Sequence, residues 1–275
     1  MFRFMLAPME EHTDSAFRRL CFNHGADLTF TEMAKIDGLA RNNKPTVNKT
    51  LRLDNTPTQI QILPGKDEML EKYLKSFKPS EGFMGFNFNF GCPAPEVQRV
   101  GRGCAMVKRV TKANRLINIV RKYNYPVSLK IRLGASAFEK KVKVYMNLIN
   151  GSDPDFFIVH ARTGEETYED KPDYSVFEEC VASGKEIIAN GDIETPKALH
   201  EVKKMGVKGV MIGRGACRNP AIFDLLKGKA IPSFDELKRE YSALAEKYNS
   251  TPRHKKNVLI RIGQKFAPSY LENKM

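Results

Sequence analysis

Cys92 lies in a segment whose residue types are typical of a reaction site. The segment 87–108 reads NFNFGCPAPEVQRVGRGCAMVK, and its first residues belong to an aromatic run that predicts a buried strand. Pro93 biases Cys92 away from a helical conformation, which predicts that the thiol lies in a loop just after the strand. Asn89 and the glycines of Gly101–Gly103 would place an amide and a closely approachable backbone beside it. A buried structural cysteine is the other interpretation, since free cysteines often pack as small apolar side chains.

Polar side chains or glycines follow nearly every predicted strand at the point where the strand ends. These groups are Pro8, Met9 and Glu10, then Glu32, Gln61, Asn89 with Cys92, Lys130 with Arg132, His160 with Arg162, Asn190 with Gly191 and Asp192, and Gly213 with Arg214. In a barrel of parallel strands the carboxyl ends meet at one face, and that face carries the chemistry. We therefore predict that these groups converge on a single pocket.

Two glycine-containing loops late in the predicted barrel indicate a phosphate site. Asn190–Asp192 follows the seventh strand and Gly213–Gly215 follows the eighth, which is the usual place for phosphate in barrel enzymes. The glycines would present backbone N–H groups, and Arg214 suits a bidentate contact with phosphate oxygens. A tight turn would explain either loop alone, but the two together favour phosphate binding.

Lys130, Gln61 and His160 indicate which group the phosphate would anchor. Lys130 lies among apolar strand residues, and a buried ammonium requires an anion, for which Glu32 is the alternative to a cofactor. Gln61 offers a donor and an acceptor to the edge of a heterocycle. His160 precedes a polar loop, so we expect it to face the pocket rather than the core. A planar heterocycle with a phosphate and a cation at its edge describes flavin mononucleotide (FMN), whose anionic reduced form a nearby cation stabilises.

Helical and strand patterns alternate along the chain and predict the fold that positions these residues. The eight predicted strands are Arg3–Ala7, Leu28–Glu32, Thr58–Ile62, Phe83–Asn87, Val127–Arg132, Phe156–His160, Glu186–Ala189 and Gly209–Ile212. The predicted helices between them include Ser15–Asn23, Asp67–Ser76, Lys112–Tyr123, Phe138–Asn150 and Pro196–Met205. Eight β–α units favour an α/β protein with a (β/α)8 TIM barrel over an open doubly wound sheet. No GxGxxG follows the first strand, which disfavours a Rossmann fold.

The last part of the chain predicts a small helical unit after the barrel. We assign residues 1–230 to an FMN-binding catalytic barrel and 231–275 to a C-terminal extension with helices at Phe234–Tyr248 and Lys255–Tyr270. Residues 229–275 contain ten Lys/Arg and five Asp/Glu, so +5 of the net charge of +13 lies there. Such a surplus of positive charge suggests a polyanionic partner.

The composition is that of an ordinary globular protein. The chain has 275 residues, of which 41% are hydrophobic and 28% charged, so it can bury a sizeable core. It contains no apolar run of about 18 residues and no signal-peptide pattern before Pro8, so we expect no membrane span. Its five cysteines are scattered without a CxxC, which argues against disulfides or zinc and for a reducing cytoplasm. The basic segment 34–55 is either a solvated loop or a rim that contacts phosphate.

Eight short motifs resemble, in order and spacing, those of the tRNA-dihydrouridine synthases. They are APMEEHTDSAFRRL at 7–20, TEM at 31–33, IQI at 60–62, NFGCP at 89–93, VSLKIRLG at 127–134, HART at 160–163, ANGDI at 189–193 and GVMIGRGACRNP at 209–220. Each motif alone is weakly specific, but eight in register span the predicted barrel. The resemblance implies an FMN-bearing barrel followed by a helical domain that grips tRNA. The C-terminal segment of this chain is short for that domain.

The resemblance also implies roles for individual residues. Pro8, Met9 and Glu10 would border the flavin, Gln61, Lys130 and His160 would contact its ring system, and Asn190, Gly191, Asp192, Gly213 and Arg214 would hold its ribityl phosphate. Asn89 would touch flavin or uracil, Arg162 would lie near the substrate, and Cys92 would be the general acid. Cys104 is interpreted as a packing residue.

The implied reaction reduces the 5,6 double bond of uracil in tRNA. NADPH or NADH reduces FMN, reduced FMN gives hydride to uracil C6, and Cys92 protonates C5. A thiol suits this step because its unperturbed pKa of about 8.5 leaves it protonated yet able to release the proton. The uridine must leave its stack to reach a barrel mouth, and the basic helices would hold the RNA by its phosphates. We expect tRNA as partner and no metal, and we assume a monomer.

Three other functions share parts of this pattern. A dihydroorotate-dehydrogenase-like enzyme acting on a free pyrimidine would share the flavin site, but it needs neither the basic C-terminal unit nor the basic segment 34–55. A tRNA-binding protein without catalysis is disfavoured, because Cys92, Lys130 and His160 are all present. A flavin-free isomerase or aldolase would use Lys130 for a Schiff base. The salt dependence of binding, the colour of the protein and borohydride trapping would distinguish these functions.

Overall fold

All neighbouring strands of the sheet run parallel, and the sheet curves until its two edges meet. A computed structural model of the chain describes residues 1–265, in which the strands are β1 (Arg3–Leu6), β2 (Thr29–Phe30), β3 (Ala34–Lys35), β4 (Thr58–Leu63), β5 (Phe83–Phe90), β6 (Val127–Ile131), β7 (Phe157–His160), β8 (Ile187–Asn190) and β9 (Gly209–Ile212). Their order is β1-β9-β8-β7-β6-β5-β4-β2, with β3 beside β4. Met5 bridges to Leu28, and the N–H of Leu6 donates to the carbonyl of Leu28 at 2.9 Å. This contact closes the barrel.

Helices connect the strands and cover the outside of the barrel. In the described part of the chain they are α1 (Ser15–Asn23), α2 (Ile36–Ala40), α3 (Lys44–Asn48), α4 (Asp67–Ser76), α5 (Pro95–Arg99), α6 (Val110–Arg121), α7 (Ala137–Lys141), α8 (Val144–Gly151), α9 (Val176–Ala182), α10 (Pro196–Lys204), α11 (Arg214–Arg218), α12 (Ile222–Leu226), α13 (Phe234–Lys247) and α14 (Pro252–Arg261), with a 3₁₀ helix at Gly103–Met106. The predicted α/β class and (β/α)8 TIM barrel are therefore confirmed. Over residues 1–265, no helix is long and apolar enough to cross a membrane.

The second predicted strand, Leu28–Glu32, is shorter than expected and is followed by another strand. Only Thr29–Phe30 forms β2, while β3 at Ala34–Lys35 pairs with the end of β4. Between them the hydroxyl of Thr31 accepts from the N–H of Gln61 at 3.0 Å. The side-chain oxygen of Thr31 thus accepts a hydrogen bond that a backbone carbonyl would accept in a regular parallel pair, and the strand is interrupted there. The basic segment 34–55 contains β3, α2 and α3.

β5 continues three residues beyond its predicted end at Asn87, to Phe90. Its phenylalanines and asparagines alternate because successive strand residues point to opposite faces of the sheet. Phe86, Phe88 and Phe90 are buried in the core between the sheet and the helices. The side chains of Asn87 and Asn89 bond to interior polar groups of the barrel instead. The longer strand therefore carries an amide to the carboxyl-end face of the barrel.

The bounds of several predicted helices shift by one or two residues, as for Lys112–Tyr123, which is Val110–Arg121 in the structure, and two predicted helices differ more. The predicted helix Phe138–Asn150 is divided into α7 and α8 at Lys143, whose φ of 54° cannot continue a right-handed helix. The predicted helix Lys255–Tyr270 begins earlier, because Thr251 caps it and Pro252 occupies its first turn, and it ends at Arg261. Positions 266–270 of that prediction lie outside the described residues.

The two C-terminal helices pack directly on the barrel domain. Leu237 and Tyr241 of α13 and Val258 of α14 are buried in the same apolar core that the barrel helices share. At the edge of this contact, the imidazole of His24 lies 2.7 Å from Glu240. The residues after 230 are therefore firmly docked as far as they are described. Their role in tRNA binding remains a prediction.

The contact between His254 of α14 and Glu32 of the barrel should make this docking depend on pH. The two side chains lie 2.8 Å apart, and the side chain of Glu32 is 4% exposed. Burial lowers the pKa of His254, but the hydrogen bond and charge of Glu32 outweigh it, so the pKa is raised. A raised histidine pKa stabilises the folded state below the unfolded value of about 6.5, and this stabilisation is lost as pH rises through the folded pKa.

We therefore expect the His254→Gln variant to lose more unfolding free energy at about pH 5.5 than at about pH 8.5 relative to the parent protein. Urea unfolding of both proteins at the two pH values measures this difference. His200→Gln is the matched control, because His200 is an exposed residue of α10. An equal loss at both pH values would contradict the assignment.

Candidate active site

A cavity of about 410 Å³ opens at the carboxyl ends of the strands. The predicted site residues that line it are Pro8, Met9, Glu10, Gln61, Asn89, Cys92, Lys130, His160, Asn190, Gly191, Asp192, Gly213 and Arg214. Arg162 lies behind the wall of the cavity. Met33, Ile193 and Ile212 add apolar surface. Sites for cofactors and small molecules are typically about 300–1,000 Å³ and combine apolar walls with a few convergent polar groups.

The loop that carries Cys92 is held from both sides. The N–H groups of Gly91 and Cys92 donate to Oδ1 of Asn89 at 3.0 and 2.8 Å. The carbonyl of Cys92 accepts from the N–H of Cys104 at 3.0 Å. Gly103, at a φ of 60°, permits this approach because a Cβ there would collide with the carbonyl of Cys92. The thiol is half-buried and borders the cavity, in a loop just after a strand as the sequence predicts.

A one-way chain of hydrogen bonds runs from this loop through the inside of the barrel. Asn89 Nδ2 donates to Gln61 Oε1 at 2.9 Å, Gln61 Nε2 to Asn87 Oδ1 at 2.7 Å, Asn87 Nδ2 to Ser128 Oγ at 2.7 Å, Ser128 Oγ to Gln59 Oε1 at 2.6 Å, and Gln59 Nε2 to the carbonyl of Met84 at 3.1 Å. We call this the interior hydrogen-bond chain. Each member donates in the same direction, so the chain determines which way every amide faces, including the one that holds the Cys92 loop.

Sequence reasoning missed three members of the interior hydrogen-bond chain, Gln59, Asn87 and Ser128. All three are buried. The available signal was a polar residue inside an otherwise apolar strand, because buried polar groups require partners. Which partners they find depends on the register between strands, which the sequence does not display.

We expect Ser128→Ala to destabilise the fold by about 2–4 kcal/mol, since it leaves Asn87 Nδ2 and Gln59 Oε1 buried without a partner. Urea unfolding of the parent and variant measures the change. Ser242→Ala is the control, because its exposed hydroxyl bonds only to a helix carbonyl, and its effect should stay within about 0.5 kcal/mol. Equal effects of the two substitutions would contradict a continuous chain.

Lys130 reaches the cavity from the end of β6. Its Nζ donates to Oδ1 of Asn190 at 2.8 Å, and Nδ2 of Asn190 donates to the carbonyl of Met211 at 2.8 Å, which fixes the amide. Burial, together with the nearby charge of Arg132, lowers the pKa of Lys130 to about 7. Glu32, the alternative partner considered from the sequence, binds His254 instead.

Lys130 and Arg132 are cations with only neutral partners. The guanidinium of Arg132, which also lines the cavity, donates to the carbonyls of Thr163 and Glu166, the latter at 3.2 Å. Neither side chain forms an ion pair with a carboxylate of residues 1–265. Cations so placed are costly without a compensating anion. The cavity therefore favours an anionic ligand.

His160 is a neutral imidazole at the end of β7. Burial lowers its pKa well below the usual value, and the charges of Lys130, Arg132, Arg162 and Arg214 act in the same direction. Nη1 of Arg162 lies 3.3 Å from Nε2 of His160. Because a guanidinium only donates, Nε2 must accept and Nδ1 must carry the proton. His160 is thus fixed in one tautomer beside the cavity.

Arg162 is fully buried and positions the carboxylate of Asp192. Its Nε donates to the carbonyl of Asp170 at 2.7 Å, and its Nη2 bonds to Oδ2 of Asp192 at 2.6 Å. The other oxygen of Asp192 binds Arg214. Asp192, whose side chain is 6% exposed, therefore joins a buried arginine to one at the cavity. Direct contact of Arg162 with the substrate remains a prediction, and the structure gives it a supporting position.

Tyr168 is a cavity residue that sequence reasoning missed. The guanidinium carbon of Arg214 lies 4.0 Å from the centre of its ring, within range of a cation–π interaction. The ring also borders the cavity. An aromatic residue in a polar loop after a strand end was the only signal available. Its contact restricts the direction in which Arg214 can point.

Comparison with known proteins finds relatives across nearly the whole chain. The family model for dihydrouridine synthases matches residues 5–273. A probable tRNA-dihydrouridine synthase of Helicobacter pylori is 34% identical over 233 residues, which are 79% of this chain and 68% of that protein. tRNA-dihydrouridine synthase B of Pseudomonas syringae pv. tomato is 30% identical over 240 residues, which are 83% and 70% of the two chains. Among solved structures, the tryptophan synthase A-subunit of Pyrococcus furiosus has a TM-score of 0.45 at 12% identity, and the match covers 83% of this chain and 97% of that one.

Proposed function

Since this chain belongs to the dihydrouridine synthase family, we propose that it reduces uridines of tRNA to 5,6-dihydrouridine with FMN as cofactor. The names of the relatives support tRNA as the substrate. The main observation in support of FMN is that two cations, Lys130 and Arg132, border the cavity with only neutral partners. A phosphate and an anionic reduced ring would supply the missing negative charge.

The residues around the cavity fit FMN. Gln61, Lys130 and His160 would contact the ring, Gly191, Asp192, Gly213 and Arg214 would hold the phosphate, and Pro8, Met9 and Glu10 would border the flavin. Asn190 is proposed to act through Lys130, because its amide already bonds to that ammonium and to a backbone carbonyl. An anion near Lys130 would raise its pKa and keep it charged. Neutral His160 would offer its Nδ1–H as a donor.

When bound and reduced by NADPH or NADH, FMN would supply the hydride that adds to C6 of uracil. Cys92 would deliver the proton to C5, which completes the addition of two hydrogens across the double bond. Asn89 would position Cys92, because its Oδ1 holds the two N–H groups of the thiol's loop. Asn89 is thus assigned a supporting role near flavin and uracil.

A folded RNA would have to present its uridine to the mouth of the barrel. The active-site cavity lies at the carboxyl ends of the strands, so a stacked base would not reach it without flipping out of its stack. The net charge of +13 favours a polyanion. The basic residues of α13 and α14 are proposed to contact tRNA phosphates, as part of the unit assigned to residues 231–275.

Visible absorption spectroscopy tests the proposal. The purified protein should be yellow, bleach on addition of NADPH without air, and regain oxidised-flavin absorbance faster with unmodified tRNA than with buffer. Lys130→Met should weaken FMN retention. A yellow protein indifferent to tRNA would instead indicate a reductase of small molecules, and a colourless protein that takes up no FMN would contradict the cofactor.

A further inference from the structure

A broad basic cleft lies beside the Cys92 loop and is separate from the proposed cofactor site. It has a volume of about 770 Å³ and is formed by the loop after β4, the segment 100–103 and the start of α6. Its basic residues are Lys66, Arg102, Lys108, Arg109, Lys112 and Arg115. We call this surface the basic cleft.

The basic cleft keeps a surplus of positive charge after its ion pairs are counted. Its pairs are Arg102 with Asp37 at 2.6 Å, Lys108 with Glu139 at 2.8 Å, and Lys112 and Arg115 with the single carboxylate of Asp67. Six cations thus meet three carboxylates, which leaves +3. Lys66 and Arg109 are exposed and form no ion pair with any carboxylate of residues 1–265. The cleft is therefore suited to an added anion.

Two glycines make room for guanidinium groups in the wall of the cleft. A Cβ at Gly65 would lie 2.7 Å from Nη2 of Arg102, and a Cβ at Gly101 would lie 2.7 Å from Nη2 of Arg109. Gly101 also has a φ of 68°, which other residues rarely adopt. The guanidinium groups of Arg102 and Arg109 thus lie close to the backbone at these two glycines.

The first turn of α6 lies at the cleft and lacks the charges that usually stabilise it. The positive end of a helix dipole favours acidic residues, yet α6 has none in its first turn. Lys108 and Arg109 precede it and Lys112 lies within it. The N-cap residue Arg109 offers no side-chain acceptor to the free N–H groups. An anion in the cleft would compensate both the dipole and the added cations.

The cleft is joined to the active site through one short segment. Arg102 lines the cleft, and the next residue, Gly103, packs on the backbone of Cys92. The N–H of Cys104 holds the carbonyl of Cys92 at 3.0 Å. A ligand that fills the cleft would therefore lie beside the loop that carries the thiol.

We propose that the basic cleft binds phosphate groups of the tRNA and so seats the RNA next to Cys92. The inference rests on the proposed function and adds a second contact surface, on the barrel itself. Concavity and arginine-rich lining suit a ribose–phosphate strand, whereas a lipid surface is flat. The residues Lys66 and Arg109 should contribute most, because no carboxylate already neutralises them.

The test compares the binding of unmodified tRNA to the parent holoenzyme and to the Lys66→Gln/Arg109→Gln variant over a series of salt concentrations. The variant should bind about ten- to a hundredfold more weakly at low salt, and the slope of log K against log salt should fall by about two. Reduction of bound flavin by NADPH without RNA should be unchanged. The Lys66→Arg/Arg109→Lys variant keeps the charge and should keep most of the affinity.

The control is Lys204→Gln/Lys208→Gln, which removes the same charge at the opposite end of the barrel, at the last residue of α10 and just before β9. A double variant of the cleft that binds tRNA like the parent, or no worse than this control, would overturn the proposal while leaving the proposed function standing. Cleft-dependent tRNA binding without dihydrouridine formation would support the cleft and contradict the function. Cleft-dependent binding to phosphatidylserine vesicles but not to tRNA would overturn the RNA assignment.

Discussion

Cys92→Ala is expected to lower the rate of uridine reduction by about 10²–10⁴-fold, the range in which positioned general acids contribute. The thiol is the group at the cavity edge that would carry the proton for C5, and alanine removes it with little change of shape. FMN content and tRNA affinity should be retained, because the loop backbone bonds to Asn89 and Cys104, which do not involve the sulfur. Single-turnover reoxidation of the reduced flavin by tRNA measures the step.

Cys104→Ala is the matched control for this experiment. Cys104 is the neighbouring thiol, but it is fully buried, and burial raises its pKa to about 11, which is unsuited to a rapid proton donor near neutral pH. Its removal should leave the reoxidation rate within about threefold of the parent. Equal losses in the two variants would contradict the assignment of Cys92 as the acid, and so would an unaffected Cys92→Ala enzyme.

Asp192→Asn is expected to destabilise the protein by about 3–5 kcal/mol, because removing one partner of a buried ion pair leaves an uncompensated charge. Arg162, with a fully buried side chain, would lose the carboxylate at 2.6 Å and keep only neutral partners. Asparagine has the same shape and tolerates the left-handed φ of 50° at this position. Urea unfolding of the cofactor-free proteins measures the change.

The same substitution should also weaken FMN binding, since Asp192 orients Arg214 at the proposed phosphate site. Asp153→Asn is the control, because that carboxylate is 71% exposed and pairs with Lys185 at the surface, where such pairs contribute about 0–1 kcal/mol. If Asp192→Asn lowered the free energy of unfolding no more than Asp153→Asn does, the bonds of Asp192 to Arg162 and Arg214 would not stabilise the fold.

The sequence predicts the position of a site residue well where it is enough to know that the residue directly follows a predicted strand. Most of the groups after the apolar runs converge on one cavity, because parallel strands bring their carboxyl ends to one face, but Glu32 and Arg162 do not line it. Lys130 was predicted in the same way, because a lysine among apolar strand residues indicates an ammonium inside the barrel, and its side chain borders the cavity. Cys92 was placed correctly in a loop by the proline that follows it.

Contacts between distant segments could not be predicted in this way. Glu32 was considered as a partner of Lys130, but it binds His254, 222 residues further along the chain. The bond of Arg162 to Asp192 spans two neighbouring strands and depends on their stagger. Such partners are selected by packing in three dimensions, so a one-dimensional pattern of apolar and polar residues does not specify them.

The interior hydrogen-bond chain has a consequence for how this barrel is inherited. Donors and acceptors alternate in one direction from Asn89 to Gln59. A substitution that removes the polar group of one member would therefore leave its neighbours buried without hydrogen-bond partners. The members should therefore change together among descendants of a common ancestor, or not at all. A relative in which Ser128 is replaced by an apolar residue would be expected to have replaced Asn87 and Gln59 as well. The members of the interior hydrogen-bond chain would thus be inherited together.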